Sequence, residues 1–438
     1  MAWILILMTY SLGRLGATDT DQLSAQRNTG QISLNESLHR SLDHSPALST
    51  LKINHQNALL KEKNAWRVFA PTVDVQALHQ YSQTGGTDPL LASGSVPPWY
   101  AQLGLSVTEN LYDNGESLRQ AQMASLSVRI EELNLRRGRG KLITDVAKAF
   151  YEYSSAAEDL QTQQKQLAAL KVQFNSIERR YMQGLRSNRD YMQIKAQVKS
   201  SEISRINSES HLQEIRSQLL NLSGEPNSVE FEALKSKENE ELPVIPEFHA
   251  EDSVDYQLAD LQDRLAEMKT QTARRNRWPR LSIKGSYSYN LPQYLGPAAP
   301  GNDPFWNLQA QIILDYRLWD WGIQAREVEL ADNQVRVDQN SQSQSRLDTL
   351  KNVRNLKENI QALQESFRLS LVIAETQASA FASMARSYRE GKVTYLEMMT
   401  ALKDNFSSQQ QLTSLRFNLL KAQADALYFK GAADELLR

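Results

Sequence analysis

The sequence predicts a mainly α-helical chain with a small β part, arranged as two tandem repeats, and three observations carry that prediction. The second half restates the first at an offset of 207 residues, long stretches hold helical periodicity, and four short segments alternate apolar with polar residues. Leu111-Tyr112-Asp113-Asn114-Gly115 returns as Leu318-Trp319-Asp320-Trp321-Gly322, and Tyr181-Met182-Gln183-Gly184 returns as Tyr388-Arg389-Glu390-Gly391. Gly224 and Gly431 keep the same spacing, without a gap from Trp99/Trp306 onward. Each copy is therefore expected to fold as one unit.

Composition narrows the class. Only 18 Gly and 13 Pro occur in 438 residues, which favours long amphipathic helices over a compact α/β enzyme. A formal net charge of −2 gives no general attraction to nucleic acid. The run Arg136-Arg137-Gly138-Arg139-Gly140-Lys141 lacks interleaved aromatics and reads as a solvated helix face. With no Cys there is no disulfide, thiolate metal site or lipid-modified cysteine. The apolar run 2–12 followed by Leu15-Gly16-Ala17 reads as a signal peptide over 1–17. No later stretch reaches the ~18 apolar residues of a spanning helix, so any membrane crossing must use strands.

The first repeat, 18–224, opens with helical spacing from Ile32 to Phe69, jointed at Pro46 and closed by Pro71. A β-hairpin is expected over 72–112, its two strands separated by a Gly/Pro/Ser-rich loop at 84–98. After Gly115 the pattern stays helical to about Arg180, roughly 100 Å at 1.5 Å per residue. Gly184 breaks it, and a return helix runs to Gly224. The two shorter helices, end to end, match the long one in length and are expected to pair along it as a coiled coil. The second repeat, 253–438, has the same plan with its hairpin over 281–317. Between them lies an acidic linker, 225–252, containing Pro226, Pro243 and Pro246 and expected to have little regular structure.

The strands have one apolar side each. Trp99, Ala101, Leu103, Leu105 and Val107 alternate with Tyr100, Gln102, Gly104, Ser106 and Thr108. Leu281, Ile283, Tyr287 and Tyr289 alternate with Ser282, Lys284, Ser286 and Ser288, and Trp306, Leu308, Ala310, Ile312 and Leu314 with Asn307, Gln309 and Gln311. Ten to thirteen residues suffice for a tilted transmembrane strand, and Trp99, Tyr100, Phe305 and Trp306 suit a membrane-interface girdle. Four strands cannot close a barrel, and an open edge in hydrocarbon leaves backbone amides unpaired at several kcal/mol each. Several copies are therefore expected to join around a water-filled duct, eight strands from two chains or twelve from three.

With these motifs in this order, the chain resembles the TolC-like outer-membrane efflux and secretion channels along essentially its whole mature length. The resemblance rests on both Tyr-x-x-Gly turns with a carboxylate six residues later (Tyr181/Gly184/Asp190 and Tyr388/Gly391/Glu397) and on both Leu-aromatic-Asp-x-Gly strand exits. It implies a homotrimer embedded in outer-membrane lipid of a Gram-negative bacterium, with a twelve-stranded barrel, an α-helical barrel through the periplasm and a belt that includes the linker. It also implies two partners, a periplasmic adaptor (membrane-fusion) protein and an inner-membrane ABC or RND pump. By the same resemblance Tyr181, Gly184, Leu185, Tyr388, Gly391 and Lys392 mark the adaptor-docking tips. Asp190 and Glu397 mark the periplasmic aperture. The chain departs from the family pattern at Val393, where an arginine lock is expected, and at Thr400, where a second carboxylate is; Arg186 and Arg189 are nearby substitutes.

Nothing else carries chemistry. The six histidines have no metal-ligand spacing, and no phosphate loop or nucleophile elbow is present, so no enzyme and no cofactor are expected. Met182, Met192, Met398 and Met399 read as flexible helix packing rather than a soft-metal path. The competing class is a periplasmic coiled-coil structural or adaptor protein, which would need neither apolar hairpin.

Overall fold

The computed structural model describes residues 31–81, 99–224, 229–234, 243–275, 278–293 and 303–437. The expected signal peptide, the whole 84–98 loop and parts of the linker lie outside them. Helix α1, Leu34–His44, meets α2, Pro46–Arg67, at Ser45, whose hydroxyl accepts the Leu48 amide while Pro46 takes the first helical position. Strands β1, Thr72–Tyr81, and β2, Trp99–Tyr112, form the first hairpin. Helix α3, Glu116–Met182, is 67 residues long and α4, Asn188–Ser223, returns beside it. The second copy supplies α5 (Val254–Arg275), β3 (Arg280–Gln293), β4 (Phe305–Asp315), α6 (Ile323–Arg389, also 67 residues) and α7 (Tyr395–Phe429). In the linker the described residues are irregular apart from one bridge, Ile32 to Phe231, and a 3-10 turn at 250–252.

The four strands make one antiparallel sheet in the order β1-β2-β3-β4, so β1 and β4 are its edges. Rows across the sheet sort by face. Asp74–Ser106–Ser286–Gln309 and Gln76–Gly104–Ser288–Asn307 are polar; Val75–Leu105–Tyr287–Leu308 and Ala77–Leu103–Tyr289–Trp306 are apolar. Among the described residues nothing covers the apolar face: Val75 is 71% and Leu308 68% exposed. A soluble sheet would bury such a face at about 25 cal/mol per Å2.

The helices bury theirs. On α3, Ile143, Val146, Ala147, Phe150, Tyr151 and Ser154 recur every third or fourth residue and pack with Leu38, Leu219, Phe231, Phe417 and Ala424 into the main core, beside the linker. A second cluster nearer the tips joins Leu167, Leu170 and Ile177 of α3 to Ile194 and Val198 of α4 and to Tyr395, Met398 and Leu402 of α7. Ile130 of α3 meets Val254 and Leu258 of α5 in a third, which joins the first repeat to the second.

The basic run on α3 faces solvent, as its helix suggests, and its arginines also reach other elements. Arg136 donates to the Gly431 carbonyl (3.0 Å), Arg137 pairs with Asp255 (3.2 Å) and Arg139 with Asp434 (3.1 Å). The two glycines of the run let neighbours close in: a Cβ on Gly138 would clash with Leu51, and one on Gly140 would lie 3.6 Å from Tyr428 and Ala433. The run is a crossing point where α2, α5 and the C-terminal turn converge on α3. Its three arginines are each engaged within the chain.

Candidate functional site

Both helix hairpins turn by the same two devices. At the first, Gly184 (φ +74°) follows α3 in the left-handed region, its amide donating to Tyr181 and the Leu185 amide to Arg180. Gly391 (φ +76°) repeats this with Tyr388 and with Lys392 to Ser387. The return helices then start on hydroxyl caps, Ser187 accepting the Asp190 amide (3.1 Å) and Thr394 the Glu397 amide (3.3 Å). At the second tip the Glu397 carboxylate also takes the Thr394 amide (2.7 Å) and hydroxyl (2.9 Å), closing a capping box. Those bonds hold the Glu397 carboxyl below the usual carboxylate range against a smaller push from burial. The recurring carboxylate six residues after each glycine is thus the third residue of a helix start.

The tips differ in how they are tied together. Arg186 lies 3.8 Å from Asp190 and makes a long 3.5 Å contact to the Tyr388 hydroxyl, so three of the expected residues meet between the two hairpins. Tyr181 stacks on Tyr191 (4.8 Å, 5°) and Tyr388 meets Tyr395 edge-on (6.2 Å). Burial, then the nearby Tyr388 and Asp190, push the Tyr395 hydroxyl far above its ordinary value, so it stays protonated. Among the described residues no bond joins Glu397 or Arg189 to this group. Leu185 is 70% exposed, and Lys392 pairs with its neighbour Glu390 (2.7 Å). A cavity of about 120 Å3 opens between the hairpins above them, lined by Gln166, Gln193, Gln197, Tyr395, Met399 and Lys403. Met398 is buried as packing, whereas Met182 and Met192 are exposed.

The aromatics at the strand ends divide. Trp99 and Trp306 stand on the apolar face, but Tyr100 and Phe305 fall in the polar rows, and Tyr100 bonds to Asn290 through its hydroxyl. Strand alternation overrides end position, so of these four only the two tryptophans share the apolar face. Sequence reading missed a second group at the opposite end of the sheet, where Trp278, Tyr316, Trp319 and Trp321 are all exposed. Its signal was the Trp density of the second strand exit. Each exit turn is capped by its Asp: Asp113 accepts the Ser117 amide (2.8 Å), and Asp320 the Gly322 and Gln324 amides (3.0 and 2.8 Å). Burial raises the Asp113 carboxyl, but hydrogen bonds from Ser117, Gly115 and Glu116 outweigh it and leave it lowered.

A sheet with one bare apolar face and, among the described residues, two unpaired edges, carried on helical hairpins about 100 Å long, defines a channel-type architecture. The chain belongs to the outer membrane efflux protein family, whose sequence profile matches residues 37–225 and 251–428. A search among curated proteins returned no match. Solved structures share the fold. VceC from Vibrio cholerae is 18% identical with a TM-score of 0.76, covering 91% of this chain and 96% of that one. CmeC from Campylobacter jejuni is 13% identical (TM-score 0.76; 91% and 86% covered). The open state of MtrE from Neisseria gonorrhoeae is 17% identical (TM-score 0.75; 91% and 88% covered).

Proposed function

We propose that this chain is one protomer of a homotrimeric outer-membrane duct that carries solutes out of the periplasm, passively, for an energised pump. The observation that carries the reading is the open sheet with its bare apolar face. Its edges demand further copies in hydrocarbon, and its polar face would line the pore they enclose. Three copies give twelve strands, as the family resemblance implies. The helical hairpins extend through the periplasm of a Gram-negative cell toward an inner-membrane ABC or RND pump, joined by a periplasmic adaptor.

The glycine turns suit adaptor docking because a Cβ at either would meet nothing within 4 Å. Adaptor hairpins would lie over Gly184, Leu185, Gly391 and Lys392 and beside the amide-lined cavity between the hairpins. The Arg186–Asp190–Tyr388 contact ties the second hairpin to the first and holds the mouth at rest, taking the place of the arginine missing at Val393. Opening then requires α6 and α7 to move outward and break it. A carboxylate ring at Asp190 and Glu397 would favour cations. Efflux of small molecules and type I secretion of proteins make the same demands on such a duct.

The test is single-channel conductance of the detergent-purified protein in a planar bilayer, with its mass measured in the same preparation. Small, cation-selective steps from a three-chain particle are expected, with selectivity falling when Asp190→Ala and Glu397→Ala are combined. Unchanged reversal potentials would remove both carboxylates from the mouth. A non-inserting monomer would overturn the duct and return the chain to the coiled-coil spacer class.

A further inference from the structure

The chain contains a template for its own subunit seam. The two hairpins share one register: adding 208 to each β1 residue and 207 to each β2 residue turns Thr72↔Thr108 into Arg280↔Asp315 and Tyr81↔Trp99 into Tyr289↔Trp306, as observed. Helices α2 and α5 keep the 208 spacing from Pro46/Val254 to Arg67/Arg275. The β2–β3 pairing therefore joins the second strand of one repeat to the first strand of the next. A second copy added at the β4 edge makes the same kind of joint, β4 against the partner's β1.

Transferring the β2–β3 register by those increments assigns residues to the joint. Asn110↔Ser282 becomes Arg317 opposite the partner's Asp74, and Glu109↔Ile283 becomes Tyr316 opposite the partner's Val75. Asp74 lies in a polar row and Arg317, two residues past the end of β4, continues the parity of polar Gln311 and Asp315; both are exposed and, among the described residues, have no hydrogen-bond or ion-pair partner within the chain. Opposite charges directly across a strand pair attract.

Two further positions agree. Asn114, at φ 60°, ties the internal joint by donating to the Trp278 and Pro279 carbonyls (3.0 and 3.1 Å). Its counterpart is Trp321, held at φ 55° and 79% exposed, a costly conformation for a large side chain. The same transfer places its indole, a lone N–H donor, at the carbonyls of the partner's Ala70 and the partner's Pro71. In the helices, Ile130 is 7% exposed beside the partly buried Leu261, whereas their counterparts Val337 and Ile53 are 59% and 52% exposed.

We propose that a second copy of this chain covers the β4 edge in this register. Arg317 pairs with the partner's Asp74, Trp321 seats on the partner's Ala70 and Pro71, and Val337 packs on the partner's Ile53. The proposal rests on the duct reading above.

Because the chain has no Cys, cross-linking tests it directly. Directly opposed strand residues lie within disulfide reach, whereas a two-residue shift moves them almost 7 Å along the strand. Asp74→Cys with Arg317→Cys should give covalent oligomers on oxidation, and Asp74→Cys with Asp315→Cys about fivefold less. Equal or stronger linkage in the shifted pair overturns the register. If the cysteine variants do not assemble, charge exchange serves instead. Asp74→Arg alone should weaken the oligomer against detergent dissociation and Arg317→Asp should restore it; absence of restoration overturns the pairing. The unmodified particle's mass separates the two readings. A monomer overturns the duct itself, while an oligomer that links only in the shifted register overturns the seam alone.

Discussion

Replacing the two tip glycines in a graded series separates the cost of the turn from the use of its surface. Both sit near φ +75°, where an L-residue other than Asn or Asp loses about 1–2 kcal/mol. No atom lies within 4 Å of the missing Cβ at either, so no packing cost adds to that figure. Asn at position 184 or 391 should therefore behave as wild type, and Ala should cost about 1–2 kcal/mol of local turn stability with export intact. Trp carries a similar backbone cost but covers the surface on which an adaptor would sit. The assay is pump-dependent drug tolerance in cells whose only channel is the variant, with oligomer content measured alongside. Gly184→Trp and Gly391→Trp should abolish tolerance while the oligomer persists. Tolerance equal to that of the Asn variants would refute adaptor docking at the tips, and loss of export by the Ala variants as well would show that turn geometry alone is being read.

Two other outcomes can be checked independently. Phe150→Ala empties a fully buried site in the main core and should cost about 3–5 kcal/mol in denaturation in detergent; a loss below about 1 kcal/mol would mean the ring is not packed as described. Glu397 has a depressed folded-state pKa, so its contribution is present above its unfolded value of about 4.3 and is lost as pH falls through the folded one. Hydrogen-exchange protection at residues 394–398 should drop through that acid range in the wild type and stay flat in Glu397→Gln, which keeps a neutral capping box. Parallel profiles for the two proteins would assign the acid sensitivity to other carboxylates.

Legibility in the sequence followed the range of each interaction. Helix spacing and strand alternation are local, so the long helices and the two faces of the sheet can be counted from one segment at a time. Tyr100 shows the limit of reading by position: it ends a strand as Trp99 does, yet the period of two turns it to the other face. The exposure of the basic run could be read locally but its partners could not, because Arg137 reaches Asp255 and Arg136 reaches Gly431 across 118 and 295 residues. At the tips the cap signal was in plain view. Ser187 and Thr394 stand three residues before Asp190 and Glu397, and that spacing marks a helix start before it marks an aperture. The Arg186–Tyr388 contact had no such signal, since it depends on how two hairpins lie side by side.

The equal length of α3 and α6, 67 residues each, makes the chain a measuring rod. Because each residue advances a helix by 1.5 Å, the count fixes how deep each tip reaches, and the match brings both tips of a chain to one level. Taking one heptad from α3 and one from α4 would raise the first tip by about 10 Å and leave the second where it is. If the tips seat an adaptor as proposed, such a step would break the rim, and length changes in these helices would have to come in matched sets of four.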